Sequence, residues 1–246
     1  MKPKPLVILY RSDDLIAVEK PAGLAAIPGR DEETSVIQEV AAQIGLPCSG
    51  TADPRVRVVH RLDKDTSGVM LLALNTGAQR HLSHQFQNNT VHKEYLALVK
   101  GRAGGEKGKI DAPIATHPKN KLYMCVTKHG RPALTLWQIE TQYRKNTLLR
   151  CFPKTGKTHQ IRVHLQSIGT PLLIDPLYNP LSGPVYLSRL KRDYNPTRDE
   201  EKPLMSRLTL HAAKLRFVAP GGETVELDSP MPKDFRALLT QLAKLG

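Results

Sequence analysis

Between Glu94 and Phe152 the chain offers four β-type runs, Glu94–Val99, Leu122–Val126, Ala133–Thr141 and Thr147–Phe152, with no helical pattern between them. Strands paired in parallel need a crossover of about a dozen residues or more, usually a helix. Runs that follow one another without such a crossover pair antiparallel, and this constrains the fold more than any other feature. The flanking regions mix both element types. Leu6–Tyr10 and Leu15–Glu19 read as strands around the turn Ser12-Asp13-Asp14, and Lys20-Pro21-Ala22-Gly23 then breaks the pattern. Thr34–Ile44 reads as a helix, with Val36, Ile37, Val40 and Ile44 at helical spacing, Thr34 as cap and Gly45 as terminator. Val56–Val59 and Val69–Leu74 read as strands, and Thr76–Gln87 as a helix. A further helix is expected over Thr158–Ile168, capped by Thr158, with Ile161, Leu165 and Ile168 as its apolar stripe. Leu208–Ala219 and Thr224–Leu227 complete the strands, and Phe235–Leu245 closes the chain as a helix.

This order lacks regular strand–helix alternation. It predicts an α+β fold with a mixed, mainly antiparallel sheet and flanking helices. No repeat or linker divides the sequence, so residues 1–246 are expected to form one domain. Its one long irregular stretch, 178–207, is rich in Pro and charge and reads as a functional insert.

Charge narrows the partner. Lys and Arg number 36 against 23 Asp and Glu, a net charge of +13. A domain this basic usually meets a polyanion. The charge is also clustered: Arg144–Arg162 holds six Lys or Arg and His117–Arg131 holds four, neither with any Asp or Glu. Such clusters attract phosphates by releasing counterions. Within the insert, Lys191 and Arg192 are expected to act the same way. No run of about 18 apolar residues exists, so no membrane span is expected. The short apolar start does not fit a signal peptide, which points to the cytoplasm. Three widely spaced cysteines, Cys48, Cys125 and Cys151, suggest neither a disulfide framework nor a thiolate zinc site.

Two polar constellations carry chemistry. His60-Arg61-Leu62-Asp63-Lys64-Asp65-Thr66-Ser67-Gly68 lies between two apolar runs, which can hold a loop rigidly enough to aim a side chain. A charged turn that satisfies its own backbone is the plain alternative. Pro153 to Arg162 contains Gly156-Lys157-Thr158, which imitates the end of a phosphate-binding loop. Cys151 stands where that motif requires its first glycine, so a nucleotide triphosphatase is excluded. What is left is a helix start with two lysines nearby, suited to an RNA phosphate. Arg162 lies off the apolar stripe and within reach of a carboxylate on a neighbouring loop.

Together these stretches resemble the RluA-type family of pseudouridine synthases, over nearly the whole chain. His60-Arg61-Leu62-Asp63 followed by Thr66-Ser67-Gly68 resembles the catalytic loop. Asp14 to Leu24 resembles the opening strand and turn, Lys93-Glu94-Tyr95-Leu96-Ala97 the tyrosine strand, Thr155 to His164 the arginine helix, and Leu210-His211-Ala212 a late strand. Two positions depart from the pattern: Lys157 stands where the family usually has arginine, and Ile174 where it has glycine before Asp175.

The resemblance implies a pseudouridine synthase fold with a basic central cleft. It implies isomerisation of uridine to pseudouridine in structured RNA, ribosomal or transfer, without cofactor or metal. A monomer is expected, and the 59 residues before His60 resemble the catalytic domain rather than the small N-terminal RNA-binding domain that many relatives carry. The resemblance assigns Asp63 as catalytic carboxylate, Tyr95 as stacking residue and possible proton acceptor, and Arg162 as the charge that holds Asp63 ionised. Arg61 would fill the space left by the flipped base, Ile161 would pack on its other side, and His60, Lys157 and Lys93 would contact substrate. Two other classes compete with this reading: a non-catalytic RNA-binding protein, which predicts a neutral residue at Asp63 or Tyr95 where both are present, and a hydrolase using Asp63 and Asp65.

Overall fold

A computed structural model describes residues 5–29, 34–48, 54–191, 194 and 201–245. Arg192 and part of the 178–207 insert lie outside the described residues. In chain order the elements are β1 (Val7–Arg11), β2 (Leu15–Lys20), α1 (Val36–Ile44), β3 (Arg57–Val58), β4 (Ser67–Ala73), α2 (Thr76–Gln87), β5 (His92–Lys100), β6 (Lys107–Asp111), β7 (Ile114–Thr116), β8 (Met124–Val126), β9 (Leu134–Gln142), β10 (Asn146–Pro153), α3 (Gln160–Ser167), α4 (Leu187–Leu190), β11 (Leu210–Val218), β12 (Thr224–Asp228) and α5 (Lys233–Ala243). The chain forms two compact units interleaved in sequence, one from residues 1–94 and 212–230, the other from 95–211 and 231–246.

In the first unit β1, β2, β4 and β11 lie in that order, with β3 beside β4 and β12 beside β11. The ladders β1–β2, β2–β4, β3–β4 and β11–β12 run antiparallel. Every residue of β4 is buried. Its continuous apolar run, Val69 to Ala73, follows from having both faces covered, which removes the alternation a half-exposed strand shows. Val69, Leu71 and Ala73 enter the core with Leu15, Ala17, Leu82, Phe217 and Leu227. On α1, Val36, Ile37, Val40 and Ala41 are buried, and the helix ends at Gly45 as its spacing predicts. It starts at Val36 with Ser35 in the cap position expected of Thr34, and the Ser35 hydroxyl turns to Gln38 Oε1 (2.8 Å) instead of capping the backbone. Asn75 caps α2, its Oδ1 accepting from the Ala78 N–H at 2.8 Å.

In the second unit β5, β10, β9 and β6 are neighbours in that order, and β7 pairs β8 as a separate hairpin. All of these ladders are antiparallel, and for β7–β8 and β9–β10 the connections are too short for a parallel crossover. Strand β6, Lys-Gly-Lys-Ile-Asp, carries too weak a pattern to be read from sequence. Its Gly108 sits opposite Trp137 of β9, and a Cβ there would stand 2.5 Å from the indole ring. The strand expected at Leu122–Val126 is shorter, because Leu122 belongs to the turn and is 72% exposed. Helix α3 begins at Gln160, not Thr158, because His159 takes a left-handed conformation (φ 53°) that no helix propagates. Its stripe also ends early: Ile161 and Leu165 are buried but Ile168 is 42% exposed. Tyr178, read as the first residue of the insert, is instead core, packed with Ile114, Ala133 and Val163. No helix is long and apolar enough to cross a membrane among the described residues.

Candidate active site

In the first unit, the loop from β3 to β4 carries His60, Arg61 and Asp63. Arg61 is exposed and Asp63 half-buried. Three contacts fix the main chain around them. Before Asp63, the His60 ring stacks on Phe86 (centroids 4.5 Å apart, 15° between planes), and its Nε2 accepts the Leu71 N–H of β4 at 2.9 Å. An accepting Nε2 places the ring proton on Nδ1. Burial, with the nearby Lys93 charge second, pushes the His60 pKa down to about 3, so the ring is neutral. After Asp63, the Lys64 carbonyl accepts from the Gly23 N–H (3.0 Å) and from Lys20 Nζ (2.6 Å).

Lys20 is fully buried, and its ammonium also donates to Pro21 O (2.9 Å) and Leu24 O (2.6 Å). A buried ammonium is tolerated only when its donors are used, and three carbonyls meet that need. The Lys20–Leu24 turn is therefore a clamp on the Asp63 loop. The loop closes at Gly68, φ 124°, where a Cβ would lie 2.1 Å from the Ala212 carbonyl oxygen of β11. Only glycine permits that approach. Thr66 donates its N–H to Asp63 O (3.1 Å), while its buried Oγ1 has no hydrogen-bond partner among the described residues.

In the second unit, α3 and β5 supply the remaining candidates. Tyr95 is half-buried on β5 and packs against the apolar cluster that includes Ile161. Lys93 stands two residues before Tyr95, on the part of β5 that belongs to the first unit, and is 9% exposed. Arg162 is buried, and its Nε and Nη2 donate to Asp175 Oδ2 and Oδ1, both at 2.8 Å. This is the two-pronged geometry that makes arginine–carboxylate pairs strong. Asp175, fully buried, also accepts the N–H groups of Leu177 (3.0 Å) and Tyr178 (3.1 Å). The Tyr178 ring lies 5.1 Å from the guanidinium carbon. The resemblance gives Arg162 a carboxylate partner on the catalytic loop; within its own unit that partner is Asp175, which sequence reasoning had noted only as a neighbour of Ile174.

Thr155, Gln160 and His164 of the same motif serve as internal scaffolding. Gln160 Oε1 accepts from the Lys157 N–H (3.0 Å) and the Thr155 hydroxyl (2.7 Å), while its Nε2 reaches Leu134 O and Thr135 Oγ1, each at 3.0 Å. Thr135 Oγ1 also meets His164 Nδ1 at 2.9 Å, and His164 Nε2 meets Ala112 O at 2.9 Å. Burial lowers the His164 pKa against the opposing pull of the Ala112 carbonyl. Lys157 itself is half-buried. Among the described residues no group of three or more His, Cys, Asp or Glu stands where it would hold a metal ion.

Comparison with known proteins agrees with this architecture. The family model for RNA pseudouridylate synthases matches residues 14–167. Ribosomal large subunit pseudouridine synthase D of Xanthomonas campestris is 39% identical over 239 residues, 97% of this chain and 70% of that protein. Synthase C of Escherichia coli is 34% identical over 239 residues, 96% of this chain and 70% of that protein. The solved structure of human RNA pseudouridylate synthase domain containing 4 superposes with a TM-score of 0.73 at 26% identity, covering 96% of this chain and 93% of that one. The chain belongs to the RluA-type family of RNA pseudouridine synthases and has its α+β fold. It is an isomerase that converts uridine to pseudouridine in RNA.

Proposed function

We propose that the chain modifies large-subunit ribosomal RNA, the substrate named for its relatives, with Asp63 as the catalytic carboxylate. The observation that carries this is the treatment of the Asp63 loop: main chain clamped by His60, by Lys20 and by the Gly68 approach, with Asp63 left half-buried and Arg61 exposed. Rigid main chain around an accessible carboxylate is what positioning for chemistry requires.

In the reaction the bond from the sugar C1′ to N1 of uracil breaks, the base turns, and a bond from C1′ to C5 forms. The C5 proton leaves and N1 gains one, so nothing is oxidised. A uridine inside folded RNA must first be flipped out, at a cost of a few kcal/mol. Arg61 fills the vacated space, Tyr95 offers an aromatic face with a hydroxyl for the C5 proton, and Ile161 packs on the other side of the base. Arg162 supplies fixed positive charge, and His60, Lys93 and Lys157 support substrate. The exposed lysines of His117–Arg131 and the Arg144–Arg162 stretch hold phosphates, which position RNA without reading its bases. The enzyme works as a monomer in the cytoplasm; a transfer-RNA stem-loop is the second candidate substrate, since both kinds of RNA present splayed single-stranded bases.

Asp63→Asn tests the assignment. It keeps shape and removes charge, so pseudouridine formation should fall at least about a thousandfold while RNA binding persists. Turnover by the purified variant would refute it. Mapping pseudouridines in ribosomal and transfer RNA from cells with and without the gene identifies the target.

A further inference from the structure

The second unit contains a junction that the reaction, as described, does not use. Tyr178 is 8% exposed, yet three separate segments converge on it. Its ring lies 5.1 Å from the Arg162 guanidinium carbon. Its hydroxyl accepts the Met124 N–H of β8 at 2.8 Å and meets His159 Nδ1 at 2.9 Å. Tyr123 packs edge-on against the same ring, with centroids 6.0 Å apart. A phenol has one proton to give. The oxygen can also accept a second N–H, so the direction of the His159 contact follows the tautomer of that ring. His159 is also the residue held at φ 53°, an uncommon conformation for a non-glycine and one that persists only where its surroundings enforce it.

Strand β8 is half of the hairpin whose turn carries Lys119 and Lys121, both exposed. One side chain thus touches the arginine, the residue that starts the arginine helix, and the basic hairpin. We propose that Tyr178 is a positioning residue that ties the basic β7–β8 hairpin to Arg162, so that the hairpin's grip on RNA phosphates and the placement of the arginine are set together. This rests on the reading that Arg162 serves the reaction and that the hairpin holds RNA. Ring and hydroxyl have separable duties. The hydroxyl holds the hairpin backbone, while the ring holds Arg162 through its π face.

Two variants separate the duties. Tyr178→Phe keeps the ring and removes the hydroxyl. It should raise KM for a ribosomal RNA fragment about three- to tenfold, the worth of one hydrogen bond, and lower kcat less than threefold. Hydrogen exchange at the Met124 amide should accelerate, a readout independent of RNA. Tyr178→Leu removes the ring as well and should lower kcat a further tenfold or so. The double variant Lys119→Ala/Lys121→Ala is the control, since it removes the proposed phosphate contacts and leaves Tyr178 intact. If that control weakens RNA binding but Tyr178→Phe leaves both KM and Met124 exchange unchanged, the coupling is wrong and the hairpin reading stands. If the control binds RNA normally, the hairpin reading fails and the coupling with it. Equal losses in kcat and KM for the Phe and Leu variants would reduce Tyr178 to ordinary core packing.

Discussion

The Asp63 loop of the first unit and the Arg162 helix of the second solve the same problem by different means. Around Asp63 the fixing contacts end on main chain: Lys20 and Gly23 on the Lys64 carbonyl, His60 on the Leu71 amide, Gly68 against the Ala212 carbonyl. Around Arg162 the fixing groups are side chains, those of Asp175, Tyr178, Gln160, Thr135 and His164, which bond to one another or to Arg162 and in several cases to main chain as well. The reason lies in what each part presents. A loop has no internal ladder, so its backbone groups need partners and offer handles. A helix has spent its backbone groups internally, so only side chains are left to orient it. The clamp on the Asp63 loop thus acts on its backbone, whereas the helix that carries Arg162 is oriented through side chains.

Substitutions can break this contrast. The largest loss of stability is expected from Gly68→Ala, where a methyl would enter the Ala212 main chain; a cost above about 4 kcal/mol is expected, read as failure to fold or a collapse of the melting temperature. A variant that melts normally would show that the two strands part cheaply. Asp175→Ala comes next. It removes the two-pronged acceptor of the buried Arg162 guanidinium and should cost about 3–5 kcal/mol in denaturant unfolding. Lys20→Met leaves three carbonyls without their shared donor and should cost about 3 kcal/mol, with Lys64 and Gly23 amides exchanging faster. If Lys20→Met destabilises without loosening those amides, the clamp on the loop is not its main work.

Acid probes both regions at once. The folded pKa of His60 is lowered to about 3 and that of His164 is also lowered. For each ring the unfolded chain binds the proton more readily, so stability is full above the ordinary value near 6.5 and declines as pH falls below it. For His60 the decline continues toward pH 3. Melting followed from pH 7.5 to 4 should show this slope, and His60→Gln and His164→Gln should each flatten part of it. An unchanged slope in both would move the acid sensitivity elsewhere. The smallest effect is expected at Thr66. Its buried hydroxyl has no partner among the described residues, so Thr66→Val should lie within about 1 kcal/mol of wild type or slightly above it. A loss of several kcal/mol would reveal a partner for Oγ1.

The helix over Thr76–Gln87, the end of α1 at Gly45, the antiparallel ladders of the middle region and the polar loop between two apolar runs were all legible in sequence. Helix and strand patterns depend on neighbours a turn or a pleat away, which sequence displays directly, whereas the facing of Lys100 and Asn146 across β5 and β10 is set by the fold. The resemblance to a known family marked Asp63, Tyr95 and Arg162, although it did not say what holds them. Where local signals competed with distant ones, the reading slipped. Thr158 has the composition of a cap, but His159 bonds to Tyr178, 19 residues on, and the helix starts after it. Leu122 has strand composition, but the hairpin needs it in the turn.

What tertiary structure alone decided is partnership over distance. Arg162 meets Asp175 13 residues away, His164 meets Thr135 29 away, and Lys20 meets the Lys64 carbonyl 44 away. Gly68 is required by a strand that begins at Leu210. A sequence shows that a lysine, an arginine or a glycine is present, and its pattern shows which face of an element is apolar. It does not show which buried charge will find which acceptor, because the low-dielectric interior penalises every unpaired choice and the pairing that survives is set by where the whole chain brings its segments together.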